Sequence, residues 1–266
     1  MKYLSLALFP LVVGALTMGL TTIDDLPTRA LVMRGEIETV KVLALAGAWA
    51  AMLAFERGEY LRRAWFLSGL CYALLLLRDV TFAPPMVGVI GDVSTVYVRS
   101  ILVLSANLSA VVGTFMIARA WKVAGLELPG SRWAQGLVIG GAIVIALTLT
   151  GPTTVSDVRR IIGGDPRACE AVASDLGDIV SLCLIAPVLL TAIALRGGLL
   201  RWPWALFTTS MLSWLFYDAA YSLGSSVAVD SPGQRAITEA FRALACCYAF
   251  AAGVAQRLVV KSSNDA

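Results

Sequence analysis

The chain has 266 residues, 58% of them hydrophobic and only 15% charged, with a net charge of +3 and a mean hydropathy of +0.79. That composition lies far from soluble-domain averages and belongs to proteins embedded in a bilayer. The chain contains no histidine, which excludes haem held by two histidines, His-assisted serine or cysteine hydrolysis, His-ligated zinc or iron, and phosphorelay through His.

Eight apolar runs follow one another, near residues 3–20, 37–55, 64–83, 97–118, 134–150, 176–195, 203–222 and 237–256. At about 1.5 Å per residue, runs of about 20 residues cross a hydrocarbon core of about 30 Å. The first run follows Met1-Lys2 in the manner of a secretory signal, but Gly14-Ala15-Leu16-Thr17-Met18-Gly19 offers no clean small-x-small cleavage site. It is read as a span. The five cysteines include Cys71, Cys183, Cys246 and Cys247 inside apolar runs and Cys169 in a loop, and they read as small hydrophobes.

Between the second and third runs, the stretch from Arg57 to Trp65 returns as the stretch from Arg196 to Trp204. Arg57, Gly58, Leu61, Arg62 and Trp65 match Arg196, Gly197, Leu200, Arg201 and Trp204 at one offset, 196 − 57 = 139. The same offset carries Asp79 onto Asp218, Phe82 onto Tyr221 and Glu36 onto Asp175. Nearer the start, Ala15-Leu16-Thr17 is echoed by Ala146-Leu147-Thr148, and a longer loop before Asp175 accounts for the slipped register. The expected fold class is all-α, a polytopic membrane bundle of eight transmembrane helices in two tandem four-helix repeats related by a parallel pseudo-two-fold axis. The repeats are residues 1–130 and 131–261, with a polar tail at 262–266.

Arginines concentrate in the short turns 56–63 and 196–202, where basic residues have most influence on orientation. Both termini are therefore expected in the cytoplasm, in a bacterial inner membrane, with most acids on the opposite face. In the long loop 151–174 on that face, Val155, Val158, Ile161 and Ile162 have helical spacing, so a short interfacial helix is expected there. Trp65 and Trp204 are expected at the inner interface.

Ionisable groups inside or at the ends of membrane helices point to function by default. Asp79 lies fourteen residues past Trp65 (79 − 65) and Asp218 fourteen past Trp204 (218 − 204), about 21 Å along a helix. Arg78, Arg99, Glu36, Asp175, Asp178, Glu239 and Arg242 fall near the same level, forming a polar layer. Two readings compete: structural ion pairs at helix ends, or a water-filled cavity whose acids bind a cation, an amine or a polar headgroup. Arg99 and Arg242 are the expected partners of the two aspartates, because successive helix residues point about 100° apart and Arg78 is badly placed for Asp79. Asn107 sits near mid-membrane and is assigned to helix packing, with small residues of the fourth and eighth helices forming a central seam.

Little mass outside the membrane and no catalytic constellation lead to a non-catalytic protein that acts by binding. It is expected to be a subunit of a membrane complex, with a protein partner or a second copy of itself, or a sensor of an outer-side ligand. One alternative is a small transporter of a cationic or polar solute, with its site in the outer half between the repeats. Another is a metal-dependent lipid-processing enzyme using Asp175-Leu176-Gly177-Asp178, although its further acidic motifs are missing. No cofactor, metal or nucleic acid is called for; the expected partner in every reading is the lipid bilayer.

Overall fold

The computed structural model describes all residues except 1, 82–91, 126, 166–167, 196–197, 228–231 and 265–266. Arg196, Gly197 and Phe82 of the repeat argument lie outside the described residues.

Among the described residues there are eight long helices: α1 (Lys2–Gly19), α2 (Leu26–Met52), α3 (Tyr60–Val80), α4 (Asp92–Ala118), α5 (Arg132–Ile162), α6 (Ala168–Ala194), α7 (Arg201–Val227) and α8 (Pro232–Asn264). Local chemistry sets their ends. Asp25 caps α2, its carboxylate accepting the Thr28 amide at 3.1 Å and the Thr28 hydroxyl, with Pro27 in the first turn. These bonds hold the Asp25 carboxyl below its ordinary pKa. Ser131 caps α5 by accepting from the Ala134 amide, and Gly164, at φ 89°, follows its end.

Six of the eight are long and apolar enough to cross a membrane, and the chain is a multi-pass membrane helix bundle. The other two, α2 and α7, carry too many polar groups to pass that test. Arg29, Arg34, Glu36, Glu38 and Lys41 occupy the first part of α2, while α7 carries Thr208, Ser210, Ser213 and Asp218.

Contacts run from α2 to α3, α3 to α4, α4 to α6, α6 to α7, α7 to α8 and α8 back to α2, closing a ring of six helices. Outside it, α1 lies against α8 and α5 lies mainly against α6. Phe9 meets Phe250, and Gly14 meets Leu244, so α1 and α8 are antiparallel. The start of α1 and the end of α8 therefore lie at one end of the bundle, where Tyr3 also stacks on Trp202 at 5.7 Å.

Four expectations change. The small residues of the fourth and eighth helices do not make a shared seam. The main neighbours of α4 are α3 and α6, and those of α8 are α7, α2 and α1. A Cβ on Gly113 would lie 3.1 Å from the Ala64 carbonyl oxygen of α3, and one on Gly253 only 2.1 Å from the Gly47 carbonyl oxygen of α2. Each small face serves the adjacent ring helix, because a missing side chain is worth most where backbones nearly touch.

The expected interfacial helix at 155–162 is the continuation of α5, a single helix of 31 residues with Pro152 inside it. The hydroxyls of Thr153 and Thr154 both donate to the Thr150 carbonyl within that stretch. The expected polar tail is helical through Asn264, with the Ser262 hydroxyl donating back to the Val259 carbonyl. Finally, Trp65 and Trp204 are buried, at 2% and 3% exposure, instead of facing the interface. Trp65 meets Phe207 of α7 edge-on at 5.8 Å, so the repeated motif supplies core that joins the two halves of the chain.

Candidate functional site

Two cavities occupy the end of the bundle away from the start of α1 and the end of α8, and the space below it. The first is an inner chamber of about 240 Å³ to which all six ring helices contribute. Lys41 of α2, Tyr72 and Arg78 of α3 and Asn107 of α4 line one side; Asp178 of α6, Trp214 and Asp218 of α7 and Arg242 of α8 line the other. Its floor includes Ser68 and Phe207, each three residues from the buried Trp65 or Trp204 and so about 4.5 Å along the axis. Ser68, Thr114, Ser181 and Ser210 line it on the way down, the Ser68 hydroxyl donating to the Ala64 carbonyl and that of Ser210 to the Ala245 carbonyl.

The second is a vestibule of about 730 Å³ between α2, α3 and α8. Its basic lining is Arg29, Arg34, Lys41, Arg78, Arg235 and Arg242, and its acidic lining Glu38, Asp79 and Glu239. Lys41, Arg78 and Arg242 border both cavities. They form the partition between them.

The expected layer divides into clusters with different duties. In the partition, Lys41 pairs with Asp79 while the Arg78 Nε and Nη2 both donate to the other Asp79 oxygen, at 3.0 and 2.6 Å. Arg78 Nη1 also lies 4.0 Å from Glu170 of α6. Expecting Arg78 to miss its own neighbour underestimated the reach of a guanidinium, which bends back over Asp79 where α3 ends at Val80. Arg99 instead donates to the Thr81 hydroxyl at 3.0 Å and the Thr81 carbonyl at 2.9 Å, closing the top of α3 against α4.

A second cluster joins α7 and α8. Arg242 Nη2 donates to the Tyr217 hydroxyl at 2.6 Å, and the guanidinium carbon lies 4.8 Å from that ring's centre. Its Nη1 is 3.2 Å from Glu239, an ion pair without hydrogen-bond geometry. Arg242 is thus not the partner of Asp218, because a nearer phenol and carboxylate occupy it.

Glu36 and Asp175 lie away from the chamber lining. Glu36 accepts from Thr17 of α1 at 2.8 Å, and its other oxygen is buried without a partner. Asp175 faces Thr153 and Thr154 of α5, again with one buried unpartnered oxygen. Asn107 donates to the Ala173 carbonyl at 2.8 Å. A Cβ on Gly177 would lie 2.3 Å from the Asn107 amide carbon, so the absent side chain makes room for it.

Asp178 and Asp218 remain. Both line the chamber, and among the described residues neither is within ion-pair distance of a cation. The Ser174 hydroxyl donates to Asp178 at 3.5 Å. Two carboxylates without cations, beside the rings of Tyr72 and Trp214, are equipped to receive a positively charged group.

Sequence reasoning passed over Lys41, Tyr72 and Trp214. Lys41 carried a signal, an ammonium set in the apolar run Val40-Lys41-Val42-Leu43. The two aromatics carried none, since rings at helical spacing are ordinary core.

No protein-family model, curated protein or solved structure matches this chain.

Proposed function

We propose that this is a non-catalytic membrane protein that binds a small organic cation in the chamber enclosed by the six-helix ring, and carries it across the membrane. The observation that carries the reading is the contrast among its acids. Asp79 and Glu239 are matched by Lys41, Arg78 and Arg242, whereas Asp178 and Asp218 line the chamber and, among the described residues, have no cation within ion-pair distance, the basic groups of the partition being taken up by the other acids. Uncompensated carboxylates are costly in a low-dielectric interior, so a bound cation or proton is the natural complement.

Carriage is favoured over sensing by the depth of the chamber. From Asp218 to Phe207 it covers 218 − 207 = 11 residues of α7, about 16 Å, and the hydroxyl-bearing residues Ser68, Thr114, Ser181 and Ser210 line that path into the other half of the bundle. The architecture in this proposal is two tandem four-helix repeats with eight spans. In support, α2–α3–α4 and α6–α7–α8 make the same succession of contacts, and the joins α4 to α6 and α8 to α2 correspond. Both termini are placed in the cytoplasm of a bacterial inner membrane on the arginine-rich short turns.

The test is uptake of radiolabelled choline and putrescine into liposomes containing the purified full chain. Saturable uptake, lost in Asp218→Asn and in Asp178→Asn, is expected. A folded protein that neither binds nor moves either probe would overturn the reading. A stoichiometric partner chain retained in mild detergent would restore the complex-subunit alternative.

A further inference from the structure

The vestibule is built for a ligand of opposite sign to the one proposed for the chamber. Its three acids are all engaged: Glu38 with Arg34 at 3.0 Å, Asp79 with Lys41 and Arg78, and Glu239 with Arg242. Arg29 and Arg235 also line it, one from α2 and one from α8, and among the described residues neither is within ion-pair distance of an acid. Two unmatched guanidiniums face one space. Guanidinium groups suit phosphate because their planar donors meet its oxygens in pairs.

The same cavity has an apolar strip. Leu26, Ala30, Met33 and Ile37 recur at helical spacing along α2 and all line the vestibule. Leu26 is 65% exposed, and beside the strip Leu31 is 73% exposed. A soluble anion has no use for such a face, whereas an acyl chain does. The vestibule sits at a membrane end of the bundle, where phospholipid headgroups and the first methylenes of their chains are found.

We propose that the vestibule is a binding site for one anionic phospholipid, its phosphate held between Arg29 and Arg235 and its acyl chain laid along the Leu26–Ile37 strip of α2. The site is independent of the cation proposed for the chamber. Because the vestibule shares Lys41, Arg78 and Arg242 with the chamber, the lipid lies against the partition between the two cavities.

The experiment is native mass spectrometry of the full-length chain in detergent, titrated with phosphatidylglycerol or with phosphatidylcholine of the same acyl chains. One molecule of phosphatidylglycerol should bind about tenfold more tightly than phosphatidylcholine, in keeping with two arginines acting on a net negative headgroup. The Arg29→Gln/Arg235→Gln double variant should lose that preference, and Arg257→Gln, on the exposed surface at the other end of α8, should keep it. Among the described residues neither vestibule arginine has an acid within ion-pair distance to lose, so the double variant should unfold at the temperature of the parent. Should it not fold, the paired single variants Arg29→Gln and Arg235→Gln are compared, each expected to show part of the loss. Equal binding of the two lipids by the unaltered chain would overturn the proposal. So would displacement of phosphatidylglycerol by millimolar inorganic phosphate, which would make the ligand a soluble anion.

Discussion

Asp79 and Asp218 each stand fourteen residues beyond a buried tryptophan (79 − 65 and 218 − 204), yet Asp79 is enclosed by Lys41 and Arg78 while Asp218, among the described residues, lines the chamber with no cation within ion-pair distance. The same residue type at matching positions thus does two jobs. One carboxylate neutralises a lysine whose side chain is only 5% exposed; the other is left open.

Replacing each by asparagine separates the jobs. Asp79→Asn leaves Lys41 buried without its counter-charge, so stability should fall by about 3 kcal/mol, the order seen when one member of a buried pair is removed. Asp218→Asn removes an uncompensated charge, so the protein should unfold at or above the parent's temperature while losing choline binding. Thermal unfolding in detergent, with binding measured alongside, checks both. Two silent substitutions would remove Asp218 from the site.

The Lys41–Asp79 pair should also show strong coupling. Lys41→Met combined with Asp79→Asn should be less destabilising than the two single effects added together, by about 0.5–3 kcal/mol. Denaturation of the four proteins in one detergent gives the cycle. An additive result would mean that Arg78 alone sustains Asp79.

The ring closes where α2 and α8 nearly touch. Gly253→Val would place a side chain where even a Cβ lies 2.1 Å from the Gly47 carbonyl oxygen, forcing the helices apart, and should lower stability by about 3 kcal/mol or prevent folding. The control is Gly136→Ala on α5, which has nothing within 4 Å. It should be neutral or stabilising by up to about 1 kcal/mol through helix propensity. If both variants behaved alike, α2 and α8 would not be in contact.

Reporter fusions test the path through the membrane. A reporter after Ala266 and one inserted near Glu59 should report the same side, the cytoplasm, and one near Gly164 the other. Like signals from Glu59 and Gly164 would break the eight-span reading, whereas a uniform reversal would leave the bundle intact and invert only its sidedness.

Composition and apolar run length by themselves determined that this chain is an all-helical, multi-pass membrane protein, because a bilayer admits few structures and each helix needs the same length of apolar residues. Most helix ends came within a few residues as well. The largest misses were α2, whose charged first turns hid its start at Leu26, and α5, whose continuation through Pro152 was read as a separate segment; α6 also starts eight residues before its expected run (176 − 168) and α8 ends eight residues after its own (264 − 256). The level of the polar groups was also legible, since distance along a helix follows from counting residues.

Which groups share that level productively was decided only by tertiary structure. Glu36 and Asp175 correspond in the sequence yet pack against α1 and α5 outside the ring, whereas Asp178, one turn from Asp175, faces the chamber. The partner of Asp79 came from α2, through a lysine 38 residues away in sequence. Spacing along a helix gives height and facing angle, but not which neighbour stands opposite. That depends on the order of helices around the ring, where Gly253 lets the Gly47 backbone come close and Gly177 makes room for the Asn107 side chain.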